Sequence, residues 1–202
     1  MTAHDIRICL FGDSFAIGVG DPACLGWVGR LAKHMHSKAC PLTIYNLGVR
    51  GNTSADVLAR FDTEATPRVR PDTDTRVIVS VGVNDTVLDD RFPRVAPEQS
   101  TANLTAIIGK AARRGLPLLV VGPPPIADDG HNARIADLNQ RYSRLCGQLA
   151  VPFVDVYRPL IDSSAWMTEV RQGDGAHPGA AGYQVLADLA FKPWSAWLAL
   201  TN

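Results

Sequence analysis

Ile6-Arg7-Ile8-Cys9-Leu10-Phe11-Gly12-Asp13-Ser14-Phe15 is the stretch that decides how this chain folds. Its apolar run reads as a buried strand, Gly12 permits a tight turn, and Ser14 is delivered where the strand ends. Comparable runs recur at Thr43–Leu47, Arg76–Val81, Leu116–Val121 and Phe153–Val156. Helical patterns lie between them, near Trp27–Met35, Ala55–Glu64, Ser100–Arg114 and Ala133–Leu149. A last helix is expected after Pro178, with Tyr183, Leu186, Leu189 and Ala190 on one side, and Lys192-Pro193 is expected to break it. Strands alternating with helices indicate an α/β protein built from parallel βαβ units. Loops at the carboxyl ends of such strands are where an open parallel sheet gathers its ligand.

Composition narrows the remaining choices. The chain has 202 residues, 46% of them hydrophobic and 20% charged, so a single domain over 1–202 with a full core is expected. Twenty basic and twenty acidic side chains cancel, which argues against a nucleic-acid partner. Cys9, Cys24, Cys40 and Cys146 are scattered without metal-like spacing, so they read as reduced and structural, with Cys9 a small core hydrophobe. Met1 to Phe11 is too short and too charged for a signal peptide, and no run approaches ~18 apolar residues. No membrane span and a cytoplasmic location are therefore expected, with the apolar tail Trp194–Leu200 packed on the core. No repeat or linker interrupts the chain, and nothing in it specifies an oligomeric state.

Four short blocks carry the chemistry: Gly12-Asp13-Ser14-Phe15, Asn46-Leu47-Gly48, Gly82-Val83-Asn84-Asp85 and Asp174-Gly175-Ala176-His177-Pro178. A serine hydroxyl is a weak nucleophile without a neighbouring base. His177 is the candidate base: Asp174 lies three residues earlier, Gly175 lets the chain fold back, and Pro178 holds His177 extended. Gly48 offers an unobstructed backbone amide and Asn84 a side-chain amide, the donors that a tetrahedral intermediate requires. Taken singly, each block has a plainer reading: a turn or helix cap at Ser14, a helix entry at His177, a polar strand-end turn at Asn84-Asp85. Gly12-Asp13-Ser14-Phe15-Ala16 is not the G-x-S-x-G elbow of α/β-hydrolases, because it follows the first strand. Together, in this order and each at a strand end, the blocks form a parts list for acyl transfer at a serine.

On these residues the chain resembles the GDSL, or SGNH, hydrolase family. Its blocks are matched by Gly-Asp-Ser-Phe, with Phe15 in place of the usual leucine, then Gly48, Gly82-Val83-Asn84-Asp85 and Asp174-x-x-His177-Pro178. The resemblance implies a three-layer α/β/α sandwich around a five-stranded parallel sheet, flavodoxin-like in architecture. It implies Ser14 as nucleophile and, through its own N–H, first oxyanion donor, with Gly48 and Asn84 as second and third. His177 would be general base and then general acid, oriented by Asp174. The implied substrates are small-molecule carboxylic esters or thioesters, and no metal or other cofactor is implied.

The irregular segments Thr86–Pro97 and Pro123–Asn132 follow strand ends and should stand over the site. Phe92, Pro124, Ile126 and Trp166 are the candidate substrate-binding walls, although the three prolines could equally just end a strand. Arg50 could meet a charged leaving group or be an ordinary exposed arginine. Short loops suggest acyl groups of roughly two to eight carbons. Two alternatives stay open: a flavodoxin-like nucleotide- or flavin-binding module using the turn after the first strand, and a carbohydrate esterase removing acetyl groups.

Overall fold

The structure, a computed structural model, describes residues 5–37 and 40–199. Met1–His4 of the amino-terminal stretch and Leu200 of the tail lie outside the described residues. The main sheet comprises β1 (Ile6–Gly12), β2 (Leu42–Gly48), β3 (Asp74–Ser80), β6 (Leu118–Val121) and β7 (Phe153–Val154). Its strands are parallel in the order β2-β1-β3-β6-β7. A hairpin of two-residue strands, β4 (Leu88–Asp89) and β5 (Phe92–Pro93), stands apart from it.

Period-two alternation in β1 explains the three layers. Ile6, Ile8 and Leu10 enter one apolar cluster, with α2 (Gly26–Met35), α7 (Ser164–Gln172) and α8 (Ala180–Leu198). Cys9 and Phe11 enter the opposite cluster, with α3 (Ser54–Ala65), α4 (Pro97–Arg113) and α5 (Asp129–Gln148). A strand buried on both faces has no polar side, which is why β1 reads as a continuous apolar run. Local signals start the helices. Thr53 and Asp56 form a reciprocal capping box at α3, and Pro97 opens α4 where its missing N–H costs nothing.

Strand order positions the site. From β1 the chain moves outward to β2, then crosses back over β1 to β3 and continues the other way. The loops leaving β1 and β3 therefore diverge to opposite faces, leaving a crevice at the topological switch point. In the register Gly12 pairs with both Gly48 and Ser80, so the ends of β1, β2 and β3 lie level beneath it.

Several expectations need correction. Pro193 does not break the last helix: α8 runs through it to Leu198. Burial of Trp194 and Trp197, with Ala187 and Ala190 on the same stripe, outweighs the lost backbone bond. Trp194 and Trp197 are the described part of the apolar tail that packs on the core. Pro178 stands ahead of α8 instead of at its first position, with Gly179 at the cap. Two helices, α6 (Tyr157–Ile161) and α7, fill the segment after β7, where the alternation of runs did not reveal them. All four cysteines are free, and Cys9 is buried. Burial pushes its thiol up to about 11. No described helix is long and apolar enough to cross a membrane.

Candidate active site

Ser14 leads a single-turn helix, α1 (Ser14–Ile17), directly beyond the end of β1. Asp13 caps that turn, its Oδ1 accepting the Phe15 amide at 2.9 Å. This turns the chain sharply at the sheet edge and leaves the Ser14 side chain 2.7 Å from His177 Nε2.

The Asp174–His177 turn closes on itself before it reaches Ser14. Asp174 Oδ1 accepts the Ala176 and His177 amides at 3.0 and 2.8 Å, while Oδ2 lies 2.7 Å from His177 Nδ1. Burial acts to raise the Asp174 carboxyl, but the His177 amide and ring and the Ala176 amide outweigh it and hold the group at about 2. An ionised carboxylate only accepts, so Nδ1 carries the hydrogen, and in the neutral form of the ring Nε2 faces the Ser14 hydroxyl as acceptor.

Packing holds the ring there. Phe15 lies 4.8 Å from the imidazole, centroid to centroid, and Trp166 stacks behind Phe15 at 6.3 Å. Gly20 has φ +89°, and a Cβ there would fall 2.5 Å from the Pro178 carbonyl oxygen, so only glycine lets the loop after α1 pass beneath His177. Behind the turn, Glu169 accepts the Ala181 and Gly182 amides at the start of α8, at 3.2 and 2.6 Å.

The two other candidate donors converge on the same edge. The Gly48 amide donates to Asn46 Oδ1 at 3.1 Å, and Asn46 Nδ2 donates to the Ala16 carbonyl at 2.8 Å. A Cβ at Gly48 would come within 2.7 Å of both the Asp13 carbonyl and the Ile17 side chain, so glycine is what allows β2 to abut α1. Asn84 opens a 3-10 turn beyond β3; its Nδ2 donates to the Asn52 carbonyl at 3.0 Å and to Asp13 Oδ2 at 3.3 Å. That turn is pinned from both sides. Asp85 accepts the Ser54 amide at 2.7 Å, and His131 Nε2 lies 2.8 Å from the Thr86 hydroxyl. Arg60 joins the pieces by donating to the Gly12 carbonyl at 3.0 Å and to Asn52 Oδ1 at 2.8 Å, with its guanidinium over the Phe11 ring. Asp13 is buried, and that burial, with the nearby charge of Asp85 adding to it, raises its carboxyl to about 7 against the pull of the Phe15 amide.

Ser14, His177, Asp174, Gly48 and Asn84 are thus drawn into one place. The candidate substrate walls are not. Trp166 has no exposed surface, and its indole N–H donates to the Pro125 carbonyl at 2.9 Å. Pro124 and Ile126 are buried too, so none of these three offers a wall to a substrate. A ring as large as tryptophan gains more from the core than from a shallow rim, provided its N–H finds a partner there. Phe92 is 77% exposed on the β4–β5 hairpin, and Arg50 is exposed. Sequence reasoning missed Asp13, Asn46, Asn52, Arg60 and Glu169 as supports. Asp13 and Asn46 sit inside quoted blocks, whereas nothing local signals that Arg60 will reach Gly12, 48 positions away, or that Glu169 will reach the start of α8.

Comparison with known proteins gives a consistent picture. The model of the GDSL-like Lipase/Acylhydrolase family matches residues 10–185. Esterase TesA of Pseudomonas aeruginosa is 26% identical over 181 residues, covering 86% of this chain and 80% of TesA. The lipase/acylhydrolase of Enterococcus faecalis superposes with a TM-score of 0.77 at 24% identity, over 94% of this chain and 95% of that one. A catalytic mutant of the acetylxylan esterase Axe2 from Geobacillus stearothermophilus shares the fold with a TM-score of 0.73 at 17% identity, over 96% and 94% of the two chains.

Proposed function

This chain belongs to the GDSL-like lipase/acylhydrolase family and is a carboxylic ester hydrolase, and from that premise we propose that it cleaves short-acyl esters through a Ser14–His177–Asp174 relay. The observation that carries this reading is the unbroken chain from Ser14 Oγ to His177 Nε2 and from Nδ1 to Asp174, each link 2.7 Å. Ser14 Oγ attacks the ester carbonyl carbon while its proton passes to His177 Nε2, and Asp174 stabilises the imidazolium that forms. The carbonyl oxygen becomes an oxyanion met by the amides of Ser14 and Gly48 and by Asn84 Nδ2. Collapse of the tetrahedral adduct expels the alcohol, which takes the proton from His177. Water, activated by the same ring, then attacks the acyl-serine and releases the acid.

In the resting state Gly48 and Asn84 donate to protein acceptors, so the developing oxyanion competes for donors already aimed. Short acyl groups are favoured because the larger apolar candidates Trp166 and Ile126 are buried in the core, which leaves Ile17 and Val49 as the exposed apolar side chains beside Gly48. Acyl-thioesters present the same electrophilic carbon and fall within this reading. Family membership favours hydrolysis over the nucleotide-binding alternative.

Fluorophosphonate labelling tests the assignment. The protein should be labelled at Ser14, and Ser14→Ala should abolish both labelling and p-nitrophenyl acetate hydrolysis while the fold survives. Labelling at another serine in that variant would overturn it.

A further inference from the structure

Asp13 is a buried carboxyl beside the nucleophile that the relay does not use. Its two oxygens are divided: Oδ1 accepts the Phe15 amide at 2.9 Å, and Oδ2 lies 3.3 Å from Asn84 Nδ2. The Asn84 amide has two hydrogens, and the other goes to the Asn52 carbonyl at 3.0 Å. We propose that Asp13 is a positioning residue of the oxyanion hole: it aims the second Asn84 N–H at the site and serves as the resting acceptor that the substrate oxyanion displaces. This rests on the reading of Asn84 as an oxyanion donor.

The geometry supports the role in three ways. The terminal torsion of an asparagine is broad, so one anchor at Asn52 does not fix where the remaining N–H points, and a second anchor is needed. At 3.3 Å the Asp13 contact is the longer of the two, so it is the one an incoming oxyanion replaces at least cost. The pair also bridges the ends of β1 and β3 across the switch-point crevice, where the donor has to be aimed.

The test separates aiming from simple capping of α1. In Asp13→Asn the side-chain oxygen still caps the Phe15 amide, but an NH2 group faces Asn84 in place of Oδ2. Asp13→Ser keeps an acceptor for the Phe15 amide and is too short to reach Asn84. Each variant is made in the wild-type and Asn84→Ala backgrounds, checked for a native circular-dichroism spectrum, and assayed with p-nitrophenyl acetate at mildly alkaline pH. Both single variants should lose about tenfold or more in kcat, short of the ~10²–10³ expected for removing a donor, with KM nearly unchanged. In the Asn84→Ala background neither should cost anything further. Wild-type kcat in both variants, a loss confined to KM, or losses that add in full to that of Asn84→Ala would each overturn the proposal. Wild-type kcat in Asn84→Ala itself would instead refute the oxyanion role of Asn84, and the aiming role with it.

Discussion

Glu169 and Gly182 are joined by a 2.6 Å hydrogen bond that fixes where the helix after the Asp174–His177 turn begins. No side chain of Gly179 is available to cap α8, so the Glu169 carboxylate, reaching across from α7, takes two first-turn amides that have no partner within the helix. His177 and Pro178 lead into that turn, and their position depends on it.

Glu169→Ala should therefore act at a distance. Loss of a helix cap costs about 0.5–2 kcal/mol, so the thermal transition should fall. Activity should fall as well, through kcat, because the imidazole is no longer held against Ser14. Thermal unfolding followed by circular dichroism, with kcat and KM on p-nitrophenyl acetate, measures both. A variant destabilised but fully active would show that the turn is held by its own Asp174 bonds.

Asp174→Asn removes the acceptor that sets the His177 tautomer. The carboxyl is held at about 2, so in the wild type it stays ionised throughout the neutral range and its own titration does not shape activity there. The ionisation of Asp174 itself therefore adds no pH dependence to the loss in kcat over that range. The loss should fall short of the ~10⁴ found for a buried orienting aspartate, because the Asp174 side chain is 53% exposed and water can partly replace it. Profiles of kcat/KM against pH for both proteins check this; an unchanged plateau would remove Asp174 from the relay.

Asp13 gives stability a slope with pH. The native state keeps this proton up to about 7, whereas the unfolded chain releases it near 3.8. Between those values the native state binds more protons, so stability falls as pH rises through the interval and is flat in this term above it. Asp13→Asn removes the term. The stability of the variant relative to wild type should rise steadily from pH 3.8 to about 7, whatever its offset. Asp85, also raised by burial, contributes a slope of the same sign in both proteins. Urea midpoints across that range provide the measurement, and a constant difference would contradict the buried-carboxyl account.

Pro193 interrupts the backbone bonding of α8 at a half-buried position. An interior proline costs a helix ~3 kcal/mol or more, and restricting the unfolded chain returns ~0.4–1 kcal/mol of that. Pro193→Ala should stabilise the protein by about 1–2 kcal/mol, less than the difference because the helix has already adapted to the ring. kcat should be unchanged, since the residue is far along the helix from His177. A lower melting temperature would mean that burial of Trp194 and Trp197 depends on the bend.

Every main-sheet strand was legible in the sequence, with boundaries displaced by at most two residues: in β1, β3 and β6 burial on both faces leaves an apolar run, and a glycine or polar residue marks the end even of the half-buried edge strand β2. The candidate catalytic blocks were legible for a related reason. A serine after a strand bend, or a histidine three residues from an aspartate, is a local arrangement whose geometry a few residues impose. Only the tertiary structure decided the rest. Ser14 and His177 are 163 positions apart and meet because β1 lies at the sheet's switch point. Arg60 reaches the Gly12 carbonyl from 48 positions away, and nothing beside Arg60 in the sequence marks it. Pro193 sits inside a helix, and Trp166 lies in the core instead of lining the site. In both cases the burial of large apolar surface overrode a local preference, and burial is a property of the packed chain, which no short stretch of sequence determines.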